Sequence, residues 1–452
     1  MENTIRQILN NHNIHDRKML DKVVSKLLTQ TEIQTHVQLI IEAQNKIMQE
    51  AMIYKEREEF ADAFFPITNA HSKKKYEFIF PMEQFPNIRI KNISGLDLAG
   101  LNFEENTIKG IPFESDTYDL KIEFFHTKDE QNSEFKKAQL FVNADPKDLW
   151  KNIPSDKEAP FHKADEAMFK ASFSDKKIVV ASQRGRSHAH EGKFRDDDFA
   201  VNELPNFWNV ISVSDGAGSA QLARYGSELA TQSINDYFKN TEVLTKLDIH
   251  LNEIFNLENE NTESKKNIIK ILYQGVSDTF KTLKEKADEY EVTLKDLHST
   301  LIFALVKKFD FGYIILSFGV GDCPINLINE DFSEVKLLNT MDVGEFGGGT
   351  RFITMNEIFD DTISSRFKIT HTKDFSKLVL MTDGIYDPKF ITENKLEDIE
   401  SWKVFFEDLN GKNEDEAKVD FHNDETIDKQ LLSWTDFWSK GNHDDRTLAV
   451  IY

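Results

Sequence analysis

Four acidic points carry the chemistry that this sequence can do. They are Asp196, Asp197 and Asp198 in RDDDFAV, Asp215 in NVISVSDGAGSA, Asp383 and Asp387 in KLVLMTDGIYD, and Asp444 and Asp445 in GNHDDRTLAVIY. Three of the four directly adjoin strand-like apolar runs, and a rigid sheet can hold carboxylates at fixed separations. Carboxylates brought together repel one another, so such a cluster is stable mainly when cations neutralise it. Hard oxygen ligands favour Mg²⁺ or Mn²⁺, and no Cys/His spacing points to zinc. After Asp215 and Asp383 comes glycine, which lets the backbone bend sharply and a carbonyl approach an ion. Taken singly, Asp-Gly is a common turn and a run of three aspartates is usually a solvated loop. Their occurrence together, in this order, is the signal.

The elements that must position these residues occupy the second half of the chain, where strand-like and helix-like runs alternate up to a final strand at Thr447–Tyr452. The first half reads differently. Residues 1–58 show apolar positions at three- and four-residue steps (Ile5, Ile8, Leu9; Leu20, Val23, Val24, Leu27, Leu28; Val37, Ile40, Ile41), which predicts a pair of amphipathic helices packing on a neighbour. A coiled-coil arm is the sharper alternative, weakened by the interruption at Thr29–Thr35. Residues 60–145 carry short strand-like runs at Tyr76–Phe80, Ile88–Ile93, Tyr118–Phe125 and Ala138–Val142, separated by turn residues. Their spacing predicts a small β-sandwich of immunoglobulin-like type with a binding or positioning role. Residues 146–170 are polar and charged, hold three of the ten prolines, and read as an interdomain linker anchored by Trp150. The remainder, 171–452, is the expected catalytic domain.

Composition excludes several classes. With 78 Asp and Glu against 55 Lys and Arg, the formal charge is −23, which repels nucleic acid and anionic lipid at long range. A hydrophobic share of 39 % and 36 Phe supply real cores, so the chain reads as globular rather than disordered. The single cysteine, Cys323, rules out an intramolecular disulfide framework and fits a reducing compartment. The polar start lacks the apolar run of a signal peptide, and no stretch approaches the ~20 apolar residues that span a bilayer. The expectation is a cytoplasmic protein with no nucleic-acid or membrane partner.

From Val179 onward the sequence resembles the metal-dependent serine/threonine protein phosphatases, the PPM or type-2C family. SQRGRSHAHEGKFRDDDFAV, VSDGAGSA, HSTLIFALV, SFGVGDCPINLI, LMTDGIYD and NHDDRTLAVIY come in that family's order. SH…G…D and DGAGSA are more similar to a bacterial branch than to eukaryotic enzymes, which usually read DGHGG. The resemblance implies an α+β fold, with an αββα sandwich of two antiparallel sheets flanked by helices, and a binuclear Mn²⁺/Mg²⁺ centre at one edge. Asp197 and Asp215 would be ligands, with Asp215 bridging and the Gly216 carbonyl on one ion; Asp383 and Asp444 would bind the other. Asp322 and Asp387 match positions of a weaker third metal. Asp196 would orient bound water.

That resemblance implies a hydrolase that removes phosphate from phosphoserine or phosphothreonine in proteins by a metal-bridging hydroxide. The partners it implies are phosphoprotein substrates and a Ser/Thr kinase or its targets, in signalling. Cys323 reads as core, not as a nucleophile. Two departures stand out. Gly192 occupies the place of the family's phosphate-gripping Arg, leaving Arg184, Arg186, Lys193 and Arg195 as candidates. Ala217 replaces the eukaryotic His after Asp-Gly, which leaves His188 either as a substitute general acid or as a structural hydrogen bond to its loop. The rival class is a catalytically inactive phosphatase fold serving as a binding or sensor module. An aspartate-nucleophile phosphatase would need an Asp two residues after Asp383, where Ile385 stands. The glycine-rich stretch from Gly344 to Phe352 lacks a GK[ST] ending and reads as a flexible loop near substrate, with Thr350 and Phe352 in a loosely similar bacterial segment.

Overall fold

The computed structural model describes residues 1–145, 150–255, 261–342 and 350–452. The chain divides into two compact units, Met1–Leu149 and Trp150–Tyr452.

The first unit opens with three helices, Glu2–Asn11, Arg17–Leu28 and Thr31–Asp62, rather than the expected pair. Asp16 caps the second by accepting from the Met19 amide at 2.8 Å. Ile5, Leu20, Val24 and Val37 bury one another across the three. The last helix runs beyond the expected boundary at 58, because Phe60 near its end packs fully buried among Phe124, Ile108 and Leu140. Lys136 donates to the carbonyls of Phe60, Ala61 and Ala63, which a helix terminus leaves without intrahelical partners. Seven strands follow among the described residues. Ala70–His71, Asp129–Asn143, Thr117–His126 and Ile88–Ser94 form one sheet in that order; Tyr76–Ile79, Thr107–Gly110 and Leu101–Glu104 form another. All four strand-like runs read from the sequence fall in these strands, while the hairpin 101–110 was not foreseen.

The second unit stacks two antiparallel sheets. One has the order Asp198–Glu203, Asn209–Ser214, Leu301–Phe309, Gly312–Val320, Lys368–Thr372. The other has Val335–Leu337, Ile325–Ile328, Lys377–Met381, Arg446–Ile451, Lys176–Gln183, Glu166–Phe173. Period-two alternation sorts each strand between layers. Ile302, Ala304 and Val306 join Ile178, Val180, Ala449 and Ile451 in the core between the sheets. Leu301, Phe303 and Leu305 face the helices Ala223–Phe238, Thr241–Phe255 and Thr262–Glu289. Val179, Ala181, Leu448 and Val450 face Asp383–Phe390, Ile399–Leu409 and Ile427–Thr435 on the other side. The result is helices, sheet, sheet, helices. Among the described residues no helix is long and apolar enough to cross a membrane.

The stretch read as a linker lies, from Trp150 on, in the second unit; residues 146–149 are outside the described residues. Trp150 packs its ring on His190 and His443, with centroids 5.3 and 4.5 Å away.

Candidate metal centre

Strand register brings the acidic points to one edge. Asp198 pairs with Ser214, so Asp197, just before one strand, meets Asp215, just after its neighbour. Met381 pairs with Leu448 and Arg446 with Gln183. Asp383, Asp444 and the turn at 184–188 therefore share an edge of the second sheet. Leu301 pairs with Val320, which carries Thr300 and Asp322 there as well. The turns are packed tightly enough to need glycine. A Cβ on Gly384 would lie 1.9 Å from the Asp445 carbonyl oxygen, and one on Gly185 would lie 2.3 Å from the Asp444 carbonyl carbon. Gly216 sits against the Asp196 carbonyl and bridges to Ser299.

Asp197 is fully buried, and its Oδ2 accepts from Thr382 Oγ1 at 2.9 Å and Thr447 Oγ1 at 2.7 Å. Its Oδ1 is buried with no partner, as are Asp322 Oδ1 and Asp383 Oδ1. Thr350 Oγ1 donates to Asp322 Oδ2 at 2.7 Å. Thr300 holds the Asp215 backbone through two hydrogen bonds of 2.8 Å. A carboxylate oxygen of Asp215, one of Asp322 and Cys323 Sγ lie within 4.8 Å of one another. Burial first, then repulsion from Asp383, Asp197, Asp444 and Asp322, pushes the Asp215 carboxyl well above its ordinary range. Asp383 is pushed up by burial, then by Asp444, Asp322, Asp197 and Asp387. Asp197, Asp322, Asp387 and Asp444 are raised too, each with burial as the largest cause. Buried carboxylate oxygens left unpaired and pointed into a mutually repulsive cluster fit hard divalent cations, whose charge relieves the repulsion and whose coordination satisfies the orphaned atoms.

His188 belongs to the same edge. Its Nδ1 lies 3.1 Å from both carboxylate oxygens of Asp445, and its Nε2 lies 3.8 Å from Asp196 Oδ2. Burial opposes the imidazolium, but Asp445, Asp196 and Asp444 outweigh it and push His188 up to about 9. Asp196 is pushed up to about 6 by burial and by Asp445. Asp445, which the sequence reading left without a role, also accepts the backbone amides of Gly185 and Asp196 and so ties three loops together. The signal for it was the doubled aspartate before the last strand.

Two of the four basic candidates are committed elsewhere. Arg184 is buried, donating to Lys193 O and Asn152 Oδ1 and pairing with Asp165. Arg195 is buried, donating to Ala164 O, Ser182 Oγ and Asp197 O. Both side chains are buried and turned toward these protein partners rather than toward solvent. Arg186 pairs with Asp436 at 2.5 Å, and Lys193 is solvent-exposed, pairing with Glu191. Two arginines that sequence reasoning missed also lie near the acidic edge. Arg224, held by the carbonyls of Phe161 and Pro160, feels the charge of Asp196. Arg351 is half exposed beside Thr350, with its carbonyl against Gly321. Residues 343–349 of the glycine-rich loop lie outside the described residues; Phe352 stacks on His298 at 4.9 Å. Cys323 is fully buried, as its apolar surroundings predicted.

Residues 184–432, more than half of the chain, match the family described as Protein phosphatase 2C. The chain belongs to the protein phosphatase 2C family. No curated protein matches it. Solved structures to which it is similar include the serine/threonine phosphatase Stp1 from Staphylococcus aureus (14 % identity, 61 % of this chain and 93 % of that one, TM-score 0.37). The S. agalactiae serine/threonine phosphatase is another (13 % identity, 63 % and 99 %, TM-score 0.39). A third is the catalytic domain of PstP, solved with two manganese ions (12 % identity, 63 % and 98 %, TM-score 0.35).

Proposed function

We propose that this protein phosphatase 2C family member is a Mn²⁺- or Mg²⁺-dependent phosphatase acting on phosphoserine and phosphothreonine in proteins. The observation that carries the reading is the set of partnerless buried oxygens on Asp197, Asp322 and Asp383 within one carboxylate cluster. Asp197, Asp215, Asp383 and Asp444, with the Gly216 carbonyl, would hold two divalent ions, and Asp322 with Asp387 a third. Bound there, the ions supply Lewis acidity, which makes hydroxide available at neutral pH and offsets charge on phosphoryl oxygens.

The chain's own groups do the rest. Thr382 and Thr447 fix Asp197 through Oδ2 and leave Oδ1 aimed at the cluster. Asp445 keeps His188 protonated, and the proton on His188 Nε2 faces Asp196. This geometry favours His188 as the donor to the departing seryl or threonyl oxygen and Asp196 as the acceptor that orients water beside it. Arg224 and Arg351 stand with Arg186 and Lys193 as the cations available for substrate phosphate.

The test is hydrolysis of p-nitrophenyl phosphate and a phosphothreonine peptide, with and without Mn²⁺, by wild type and Asp383→Asn. Mn²⁺-dependent turnover lost in the variant is expected. A folded, Mn²⁺-loaded protein silent on both substrates would overturn the reading and leave a binding module on a phosphatase fold.

A further inference from the structure

The stretch just before Glu166 carries a lysine whose placement is unusual for a surface residue type. Lys163 is 8 % exposed. Its three ammonium protons have three acceptors: Asp197 O at 3.0 Å, Ser227 Oγ at 3.1 Å and Asp198 Oδ2 at 3.0 Å. Burying a cation costs free energy unless partners such as these surround it. Ser227 Oγ in turn donates to the Asp196 carbonyl. Arg195 donates to the same Asp197 carbonyl at 2.9 Å. The backbone of the aspartate triplet is therefore gripped from behind by two cations and a hydroxyl.

The rest of the stretch is fastened to the other loops of the edge. The Ile153 amide donates to Ala189 O at 2.9 Å, and the Lys151 amide to His190 Nδ1 at 3.0 Å. Ser155 Oγ donates to Asp165 Oδ1 at 2.6 Å, and Asn152 accepts from Arg184. Trp150 leans on His443, the neighbour of Asp444. Residues 150–165 thus run along the back of the loops that carry His188, Asp196–Asp198 and Asp444.

We propose that Lys163 is a positioning residue for the metal centre: its tripod holds Asp197 in the ligating orientation, so the stretch before the first strand of the second unit sets divalent-ion affinity. This rests on the reading of Asp197 as a ligand. Three copies of negative charge in sequence would otherwise splay apart, and a ligand that must be ordered when the ion arrives binds it more weakly. The inference differs in sign from a simple charge effect. Removing a cation near the centre leaves more negative charge, which would tighten Mn²⁺ binding; removing a positioning group loosens it.

Isothermal titration of the full chain with Mn²⁺ decides between them, using wild type, Lys163→Met and Ser227→Ala. Lys163→Met keeps the stem and removes the tripod; Ser227→Ala keeps every charge and removes one leg together with the hydroxyl's bond to the Asp196 carbonyl. We expect Mn²⁺ affinity to fall by about tenfold or more in Lys163→Met and by about threefold in Ser227→Ala, in the range of other groups that orient metal ligands. Turnover at saturating Mn²⁺ should stay within about twofold of wild type. Unchanged Mn²⁺ affinity with a lowered melting temperature would show a merely structural lysine and overturn the proposal. Tighter binding would show a Coulombic role and overturn it too. If Lys163→Met does not fold, Ser227→Ala decides by the same criteria. A wild type that binds no Mn²⁺ would overturn the metal centre itself, a separate result from a variant that binds as well as wild type.

Discussion

Replacing Asp215 with Asn should make the ion-free protein more stable while destroying its response to Mn²⁺. Oxygens of Asp215 and Asp322 lie within 4.8 Å of each other. At an effective dielectric of about 20, two ionised carboxylates at that distance repel by about 3.5 kcal/mol. Asn is nearly isosteric and keeps the Thr300 bonds, which involve only the Asp215 backbone. The gain depends on pH. Asp215 is raised in the folded chain, first by burial and then by Asp383 and its other acidic neighbours. A carboxyl raised on folding contributes stability that is full below its unfolded value, near 3.9, and lost as pH climbs through the folded value. Wild type without metal should therefore weaken from about pH 4 upward, and Asp215→Asn should weaken less. Where both carboxyls are ionised, the repulsion above corresponds to a melting temperature roughly 5–10 °C higher for the variant. Scanning calorimetry in chelator at pH 5 and pH 8 measures this, and a repeat in Mn²⁺ should stabilise wild type alone. A variant that melts at or below wild type in chelator at pH 8 would refute the repulsion argument. Equal Mn²⁺ stabilisation of both would refute the role given to Asp215.

Gly384→Ala places a Cβ 1.9 Å from the Asp445 carbonyl, so the turn must open. Overpacking of this kind costs about 1–3 kcal/mol, and phosphatase turnover should fall at least about a hundredfold with secondary structure retained by circular dichroism. Thr447→Val removes one of the two hydroxyls that orient Asp197 Oδ2, and Mn²⁺ affinity measured by titration should weaken about tenfold. A chain beginning at Trp150 retains the whole second unit and should hydrolyse p-nitrophenyl phosphate at about the wild-type rate. A chain beginning at Glu166 lacks Lys163 and Ser155, and its Mn²⁺ requirement measured in the same assay should rise.

What was legible in the sequence was whatever is written in local pattern. Asp215 and Asp383 follow apolar runs whose alternation marks strands, and Gly after each signals a sharp turn at a strand end. The two-layer sandwich followed from such runs together with the resemblance. What escaped depended on partners far away in the chain. Nothing near Arg184 or Arg195 announces that their guanidinium groups turn inward to Lys193 O and Asp197 O. Nothing near Lys163 announces a target some thirty residues on. Asp445 looked like a repeat of Asp444 until the fold delivered His188, Gly185 and Asp196 to it. The hairpin 101–110 is short, and Gly100 and the Glu-Glu-Asn turn mask its period. The third helix was hidden because the break between Asn11 and Arg17 carries no Pro or Gly to mark it, whereas the interruption near Gln30 was legible.

Strand Arg446–Ile451 lies in the interior of its sheet, between Lys377–Met381 and Lys176–Gln183. A ribosome releases Lys176–Gln183 some 260 residues before the partner that separates it from Lys377–Met381, which at about 5–20 residues per second is a wait of roughly 13–50 seconds. During that interval the six-stranded sheet cannot close, Asp197 lacks the Thr447 hydroxyl, and Asp445 has yet to join the loops it ties. A nascent chain therefore lacks the assembled carboxylate centre, and on the proposed reading it would have no phosphatase activity until the second unit is complete. Copies that stop short of Arg446 would leave two strand edges unpaired, the kind of edge that invites aggregation, and would lack the residues that complete the centre.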